Sequence, residues 1–180
     1  KQHLVLPKLQ LKEQLDLDHV LCAETPIHVS VSPDFLSVWA TPPQDPCDAA
    51  DIAKRCAVLC EGFMALMKVG QGQVIISEKC GPQDLVTEMD QGIEMLFRMW
   101  LQQHYPAHKV VGEEGTKAII SAQDWVWYID PIDGTHNFIE GRQNVSVHLM
   151  CVHQGTPKVG VVGVPHTGKI WIAYDGMTLD

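Results

Sequence analysis

The sequence predicts an α+β fold in which two helices pack on one face of a largely antiparallel sheet. Two stretches with apolar residues at helical spacing come first, one after Asp48 and one near Thr87. Short segments rich in β-branched and aromatic residues follow them, separated by short loops and Gly-containing turns. Helices followed by a run of closely spaced strands are typical of α+β domains, whereas a parallel sheet needs strands and helices in alternation.

The first predicted helix begins after Asp48, which can cap its N-terminus, and stops near Gly70. Apolar residues at helical spacing form its buried face: Ile52, Cys56, Leu59, Cys60, Phe63, Leu66 and Met67. The segment 1–47 before it is interrupted by prolines and only weakly periodic. The sequence therefore predicts a weakly structured N-terminal extension over 1–47 and a folded domain over 48–180.

The second predicted helix starts near Thr87 and ends around His104, before Pro106. Its buried stripe consists of Ile93, Leu96, Phe97, Trp100 and Leu101. Thr87-x-x-Asp90 has the spacing of a capping box, which by itself favours a structural role for Asp90. A short strand before this helix, starting at Val74, and later strands over 109–111, 125–129, 145–152, 158–164 and 169–173 complete the prediction.

Composition limits the possible partners and compartment. With 13 Lys+Arg against 22 Asp+Glu the formal net charge is -9, which argues against a nucleic-acid polymer or an anionic membrane surface as the main partner. No apolar run approaches the roughly 18 residues that span a membrane. The 6 cysteines form no CxxC pair, which is typical of reduced thiols in a cytoplasmic protein. No HxH pair suggests a transition-metal site, and His104 and His108, four residues apart, flank the predicted end of a helix. The histidines are therefore predicted to be surface or packing residues.

Acidic residues form three clusters at the ends of these elements: DLVTEMD (84–90), GEEG (112–115) and DPIDGT (130–135). Each cluster alone is explained by helix capping, by a solvated turn or by a turn opener. Together they provide carboxylates from different strand ends, which suit a hard divalent cation such as Mg²⁺. The combination is therefore more informative than any single cluster.

The third cluster has the chemistry of a combined metal and phosphate site. The proline between Asp130 and Asp133 stiffens the chain where both carboxylates and the Ile132 carbonyl could meet neighbouring ions. Gly134 and Thr135 would then offer backbone amides to a phosphate at a helix N-terminus. This pattern predicts hydrolysis of a phosphate ester by a water molecule that a metal ion activates.

DPIDGTxNF, preceded by DxVTxxD and GEE, resembles the inositol monophosphatase family. This family belongs to a group of Mg²⁺-dependent, lithium-sensitive phosphatases that also includes fructose-1,6-bisphosphatases and 3'(2'),5'-bisphosphate nucleotidases. The resemblance runs from about Asp48 to Ala173. It implies a homodimeric phosphomonoesterase for a small phosphorylated polyol such as inositol monophosphate. Fructose-1,6-bisphosphate and 3'-phosphoadenosine 5'-phosphate are the alternative substrates.

The resemblance also implies a role for individual residues in holding two to three Mg²⁺ ions. Glu113 and Asp130, with the Ile132 carbonyl, would hold the first metal and its nucleophilic water. Asp130 would bridge to a second metal, which Asp133 also binds. Asp90 would reach a third, weaker metal through water.

Substrate handling is assigned by the same resemblance. Thr135 would hydrogen-bond the attacking water together with Glu113, and the amides of Gly134 and Thr135 would receive the phosphate, close to Asp133. Two further residues match positions associated with the third metal and a mobile loop: Lys79 and Asp84.

The resemblance places a Trp-Asp motif, whose aspartate completes the second metal site, in a further half of a layered αβαβα fold. None of the 5 Trp residues here is followed by Asp, so the chain is predicted to carry only the first, N-terminal half. Three hypotheses stay open: a metal-binding half of a Mg²⁺-dependent phosphatase, a phosphatase-like protein that binds metal or ligand without turnover, and a truncated product whose exposed sheet face binds a partner.

Overall fold

A six-stranded sheet with two long helices on one face forms the main body of the protein. The computed structural model describes residues 2–5, 28–72, 76–78, 85–112 and 120–179. In chain order its elements are β1 (Gln2–Val5), β2 (His28–Val31), α1 (Pro33–Ala40), α2 (Ala49–Gly70), β3 (Ile76–Glu78), β4 (Leu85–Thr87), α3 (Glu88–His104), β5 (Lys109–Gly112), β6 (Trp125–Asp133), α4 (Thr135–Ile139), β7 (Ser146–His153), β8 (Thr156–Val164), β9 (Lys169–Tyr174) and β10 (Met177–Leu179).

The main sheet has the strand order β10-β9-β8-β7-β6-β5. The β5–β6 pair is parallel, and every other neighbouring pair in this sheet is antiparallel. Two small antiparallel pairs, β1–β2 and β3–β4, lie outside it. The predicted α+β fold, with helices on a largely antiparallel sheet, is confirmed.

Side-chain capping sets the N-terminal limits of α2 and α3 where the sequence predicts them. The Asp48 carboxylate accepts hydrogen bonds from the N–H groups of Ala50 at 2.9 Å and Asp51 at 3.3 Å, and α2 ends at Gly70. At the start of α3, Thr87 and Asp90 form the predicted capping box. These bonds satisfy N–H groups that a helix N-terminus otherwise leaves without partners.

The buried faces of both helices pack against the same side of the sheet. Aromatic rings from α3 and β6 meet edge to face, with the Phe97 and Trp127 centroids 5.3 Å apart. Four cysteines in the part of the chain that the structure describes are free thiols: Cys47, Cys56, Cys60 and Cys151. Burial, and to a smaller extent the charge of Glu61, raises the pKa of Cys60 to about 12, so that this thiol stays protonated as an apolar core group.

Several features of the secondary structure differ from the sequence-based expectation, among them the unpredicted strands β1, β2 and β10. Strand β6 continues to Asp133, beyond the predicted end at residue 129, because it passes through an irregularity that tolerates Pro131. Strand β4 was not predicted, and its three residues pair with β3. Finally, α1 is a regular helix inside the stretch that was predicted to be weakly structured.

Helix α1 is anchored to the two long helices. Its Phe35 is only 2% exposed and packs closely against Gly62 of α2, where a β-carbon would stand 2.2 Å from the ring. Trp100 Nε1 of α3 donates to the Val38 carbonyl at 3.2 Å, and His104 Nε2 lies 2.8 Å from the Trp39 carbonyl. Part of 1–47 therefore packs on the domain, while the domain boundary after residue 47 remains a prediction.

The second face of the sheet is open in the described part of the chain. Tyr128, Met150 and Trp171 lie on it and are 40%, 41% and 45% exposed, and cross-strand pairing places Tyr128 directly beside Met150. In the same part of the chain, no helix has both the length and the apolar character that a membrane crossing requires.

Candidate functional site

An irregularity near the end of β6 brings two carboxylates to one face of the sheet. Asp130 pairs with His148 and Asp133 pairs with Ser146, so three steps along β6 match two steps along β7. In a regular strand, residues three apart point to opposite faces. One extra residue in a bulge reverses this parity, so Asp133 faces the same side as Asp130. The two residues between them, Pro131 and Ile132, are buried.

The chain turns sharply directly after Asp133. Gly134 has φ 86° and ψ 42°, the left-handed conformation, and a β-carbon there would stand 2.6 Å from the Asn144 carbonyl oxygen. Both facts favour glycine at this position. Gly134 precedes α4 without any side-chain capping bond, so Asp133 does not cap this helix. Thr135 Oγ1 donates to the Ile132 carbonyl at 3.1 Å, which closes the turn.

Two residues that the sequence did not single out lie beside Asp133. Ser146 Oγ is 3.2 Å from Asp133 Oδ2 and 3.0 Å from His148 Nε2. His148 Nε2 is 3.9 Å from Asp133 Oδ2. Sequence reasoning missed both because only the register between β6 and β7 brings them to the aspartates. Their spacing of two residues in a predicted strand is the one available signal, since it places them on a common face.

Asp90 lies in the buried capping box, where it is 1% exposed. Its Oδ2 accepts hydrogen bonds from the Thr87 backbone N–H at 2.8 Å and from the Thr87 hydroxyl. The capping prediction for Asp90 is therefore confirmed. Its predicted contact with a third metal through water stays a prediction.

Strand β5 leads toward the same end of the sheet as the aspartates. It runs parallel to β6 and ends at Gly112, which pairs with Ile129, the residue before Asp130. A β-carbon on Gly112 would stand 2.2 Å from the Glu94 carboxylate, which is buried and bonded to Arg98 at 2.7 Å. A larger residue at position 112 would therefore have to displace the Glu94 carboxylate from its place beside Arg98. The predicted residues Glu113, Lys79 and Asp84 lie outside the described residues.

Asp130 borders a shallow cavity of about 570 Å³ on the open face of the sheet. Asp130 and His148 line this cavity together with apolar side chains such as Tyr128, Met150 and Val162. A polar rim beside an apolar floor can hold a polar group at one end and exclude water at the other.

The chemistry of the donor atoms fits Mg²⁺. Asp130 and Asp133 share one face of the sheet, and the Ile132 carbonyl, which already accepts one hydrogen bond, retains a second lone pair. Carboxylate and carbonyl oxygens are the ligands that hard divalent cations prefer. The described residues include no group of three His, Cys, Asp or Glu that could hold a metal. In the predicted set the further ligand is Glu113, outside the described residues.

Comparisons with known proteins agree on one family. A profile of the Inositol monophosphatase family matches residues 48–179. The Inositol-1-monophosphatase of Bacillus subtilis (strain 168) is 35% identical over 102 residues, which are 56% of this chain and 38% of that protein. A solved Thermotoga maritima IMPase matches with a TM-score of 0.65 and 31% identity, over 70% of this chain and 49% of its own.

A second solved structure, an IMPase/NADP phosphatase complexed with Mg²⁺ and phosphate, matches with a TM-score of 0.66 and 25% identity. The match covers 71% of this chain and 49% of that one. The chain thus spans half or less of the length of these three relatives.

Proposed function

Because the chain belongs to the inositol monophosphatase family, we propose that it carries the metal-binding half of a Mg²⁺-dependent phosphomonoesterase. The substrate class is a small phosphorylated polyol, with inositol monophosphate as the leading candidate. The observation that carries this proposal is the bulge in β6, which places Asp130 and Asp133 on one face directly before the Gly134 turn. Without the bulge, Asp130 and Asp133 would point to opposite faces of the strand, and the motif would not bring the two carboxylates together.

Each residue of the motif has a separate task in this proposal. Asp130 and the Ile132 carbonyl, with Glu113, would hold one Mg²⁺, and Asp130 and Asp133 would hold a second. When bound, Mg²⁺ supplies the positive charge that activates a water molecule and neutralises phosphate charge. Asp90 contacts a third ion only through water, because its Oδ2 already accepts two hydrogen bonds from Thr87.

The turn after β6 binds and orients the reacting groups. The backbone N–H groups of Gly134 and Thr135 receive the phosphate beside Asp133, while Thr135, with Glu113, orients the attacking water. The hydrogen bond from Thr135 Oγ1 to the Ile132 carbonyl keeps this hydroxyl close to the first ion's proposed ligands. Lys79 and Asp84 belong to the loop proposed to serve the third ion.

A phosphatase-like protein that binds metal or a phosphorylated ligand without turnover is the second candidate. It differs from the enzyme in turnover alone, because both would hold Mg²⁺ through the same carboxylate and carbonyl oxygens. Fructose-1,6-bisphosphate and 3'-phosphoadenosine 5'-phosphate are the alternative substrates within the enzyme proposal. A homodimer in the cytoplasm completes the proposal, on the resemblance and on the composition.

The test is phosphate release from the three substrates with Mg²⁺, with and without Li⁺. It uses both the 180-residue chain and the longest protein expressed from its gene. We expect Li⁺-sensitive release, and we expect Asp130→Asn to lower kcat by about 100-fold or more, because it removes the carboxylate shared by two ions. Asp175→Asn, which changes a surface ion pair with Lys158, is the matched control.

Urea unfolding checks that both variants keep the fold. An Asp130→Asn variant as active as wild type would refute the shared role of Asp130. Release from none of the three substrates by the longest protein would refute the enzyme proposal in favour of the binding protein.

A further inference from the structure

We propose that His148 and Ser146 form a hydrogen-bond relay that orients Asp133, with His148 as a positioning residue that acts through Ser146. The inference rests on the proposed function, in which Asp133 is a metal ligand. It gives a role to two residues that lie outside DxVTxxD, GEE and DPIDGTxNF. It also replaces the expectation that His148 is a surface or packing residue.

The relay is built by strand pairing. Ser146 and His148 are two residues apart in β7, so both side chains project from the same face of the strand. The bulge in β6 places Asp133 opposite Ser146 while Asp130 remains opposite His148. Both strands therefore present polar side chains to one face of the sheet over the same short stretch.

The distances show that His148 reaches Asp133 only through Ser146. Nε2 of His148 lies 3.9 Å from Asp133 Oδ2, which is too long for a hydrogen bond. Ser146 Oγ is within hydrogen-bond distance of both groups, 3.0 Å from Nε2 and 3.2 Å from Oδ2. A direct ion pair between exposed side chains would contribute little free energy, whereas two hydrogen bonds in series fix the orientation of the side chains that they join.

The chemistry of the three groups allows hydrogen-bond donation in only one direction, from His148 to Ser146 to Asp133. An ionised carboxylate only accepts hydrogen bonds, and a serine hydroxyl has a single proton to donate. Ser146 therefore donates to Asp133, and its oxygen is left to accept from His148. Nε2 of His148 must then carry a hydrogen, which assigns the Nε2–H tautomer and leaves Nδ1 as the acceptor.

The relay matters because the Asp133 side chain is 59% exposed. A carboxylate at such a position is free to choose among rotamers unless a partner holds it. A directed donor at Oδ2 selects one orientation and leaves the second oxygen for a metal ion. Partners that orient a metal ligand in this way typically change metal affinity by about 10- to 100-fold.

Four variants of the 180-residue chain test the proposal, with Mn²⁺ as the paramagnetic probe and titration by electron paramagnetic resonance. Ser146→Ala and His148→Leu remove the two donors and should each weaken Mn²⁺ binding by about 10-fold. His148→Gln places an amide N–H close to the position of Nε2 and should stay within about 3-fold of wild type. His166→Gln changes an exposed histidine in the turn after β8 and should match wild type.

A second readout needs no metal. Nitrogen-15 spectra of the His148 ring in the metal-free chain should show the Nε2–H tautomer, and Ser146→Ala should change its Nε2 resonance. An Nδ1–H tautomer would overturn the relay, as would His148→Leu binding Mn²⁺ like wild type. If His148→Gln and His148→Leu weakened Mn²⁺ binding equally, the relay would also be overturned. A residue with only a structural role would not respond to whether its replacement can donate a hydrogen bond.

The same titration separates failure of the relay from failure of the proposed function. If the proposed function is right, Asp130→Asn and Asp133→Asn weaken Mn²⁺ binding. When they do so and His148→Leu does not, the relay alone is refuted. When neither aspartate substitution affects Mn²⁺ binding, the metal site itself is refuted. The role of His148 and Ser146 in orienting Asp133 as a metal ligand is then refuted as well.

Discussion

His108 lies in a stack of rings at the end of the sheet away from the aspartates. Its ring is 5.3 Å from that of Trp125 at an interplanar angle of 5°, and Trp125 in turn stacks on His153 at 4.4 Å. Trp127 Nε1 donates to His108 Nδ1 at 3.0 Å, which requires that nitrogen to be unprotonated. Burial, and then the nearby His153, lowers the pKa of His108 from 6.5 to about 4.

This shift predicts a loss of stability in mild acid. Between about pH 6.5 and about pH 4 the unfolded chain takes up a proton at His108 that the folded chain does not, so the free energy of unfolding falls as pH falls through this window. His108→Phe keeps an aromatic ring in the stack and removes the group that takes up the proton. Urea unfolding at pH 7 and pH 5 should show a smaller pH-dependent loss for His108→Phe than for wild type, and equal losses would contradict the prediction.

Helix α1 is held against α2 by the close packing of the Phe35 ring on Gly62. Gly62 lies in the interior of α2, where glycine is less favourable than alanine by roughly 0.5–1 kcal/mol. The close approach of Phe35 explains this residue, because a β-carbon would stand 2.2 Å from the ring. Gly92 in α3 offers a contrast, since nothing lies within 4 Å of its added β-carbon.

The two glycines form a matched pair for mutation. We expect Gly62→Ala to destabilise the fold by about 1–3 kcal/mol through overpacking against Phe35. Gly92→Ala should stabilise it by about 0.5–1 kcal/mol, because alanine loses less backbone entropy in a helix. Urea unfolding measures both, and a stabilised Gly62→Ala variant would show that α1 does not pack on α2 in solution.

At the scale of the whole molecule the two faces of the sheet differ. One carries α2 and α3, with Trp127, Leu149 and Val161 buried beneath them. The other exposes Tyr128, Met150 and Trp171, of which Tyr128 and Met150 line the cavity beside Asp130. Large apolar side chains exposed on one face suit contact with an apolar ligand.

We expect the open face to bind an apolar dye such as anilinonaphthalene sulfonate. Met150→Glu should lower the dye's fluorescence by roughly half, because it puts a negative charge in the middle of the face that the anionic dye binds. Met177→Glu is the control, since Met177 is 53% exposed and pairs with Tyr174, whose side chain lies on the opposite face of the sheet from the open-face residues. Fluorescence reduced equally by both variants would contradict this assignment of the dye site.

The sequence by itself determined the limits of α2 and α3, the α+β class and the family, because these depend on local signals. Asp48, Gly70 and the Thr87–Asp90 box act within a few residues of themselves, and hydrophobic periodicity reports which face is buried. The DPIDGT motif likewise named its ligand candidates without any tertiary contact.

Only the tertiary structure decided which side chains meet at that motif. The bulge that aligns Asp130 with Asp133, and the register that brings Ser146 and His148 to them, arise from pairing between β6 and β7. The fit of Phe35 on Gly62 depends in the same way on residues far apart in the chain. A shift of one residue in register turns every side chain to the other face of a sheet, so no local pattern can encode these contacts.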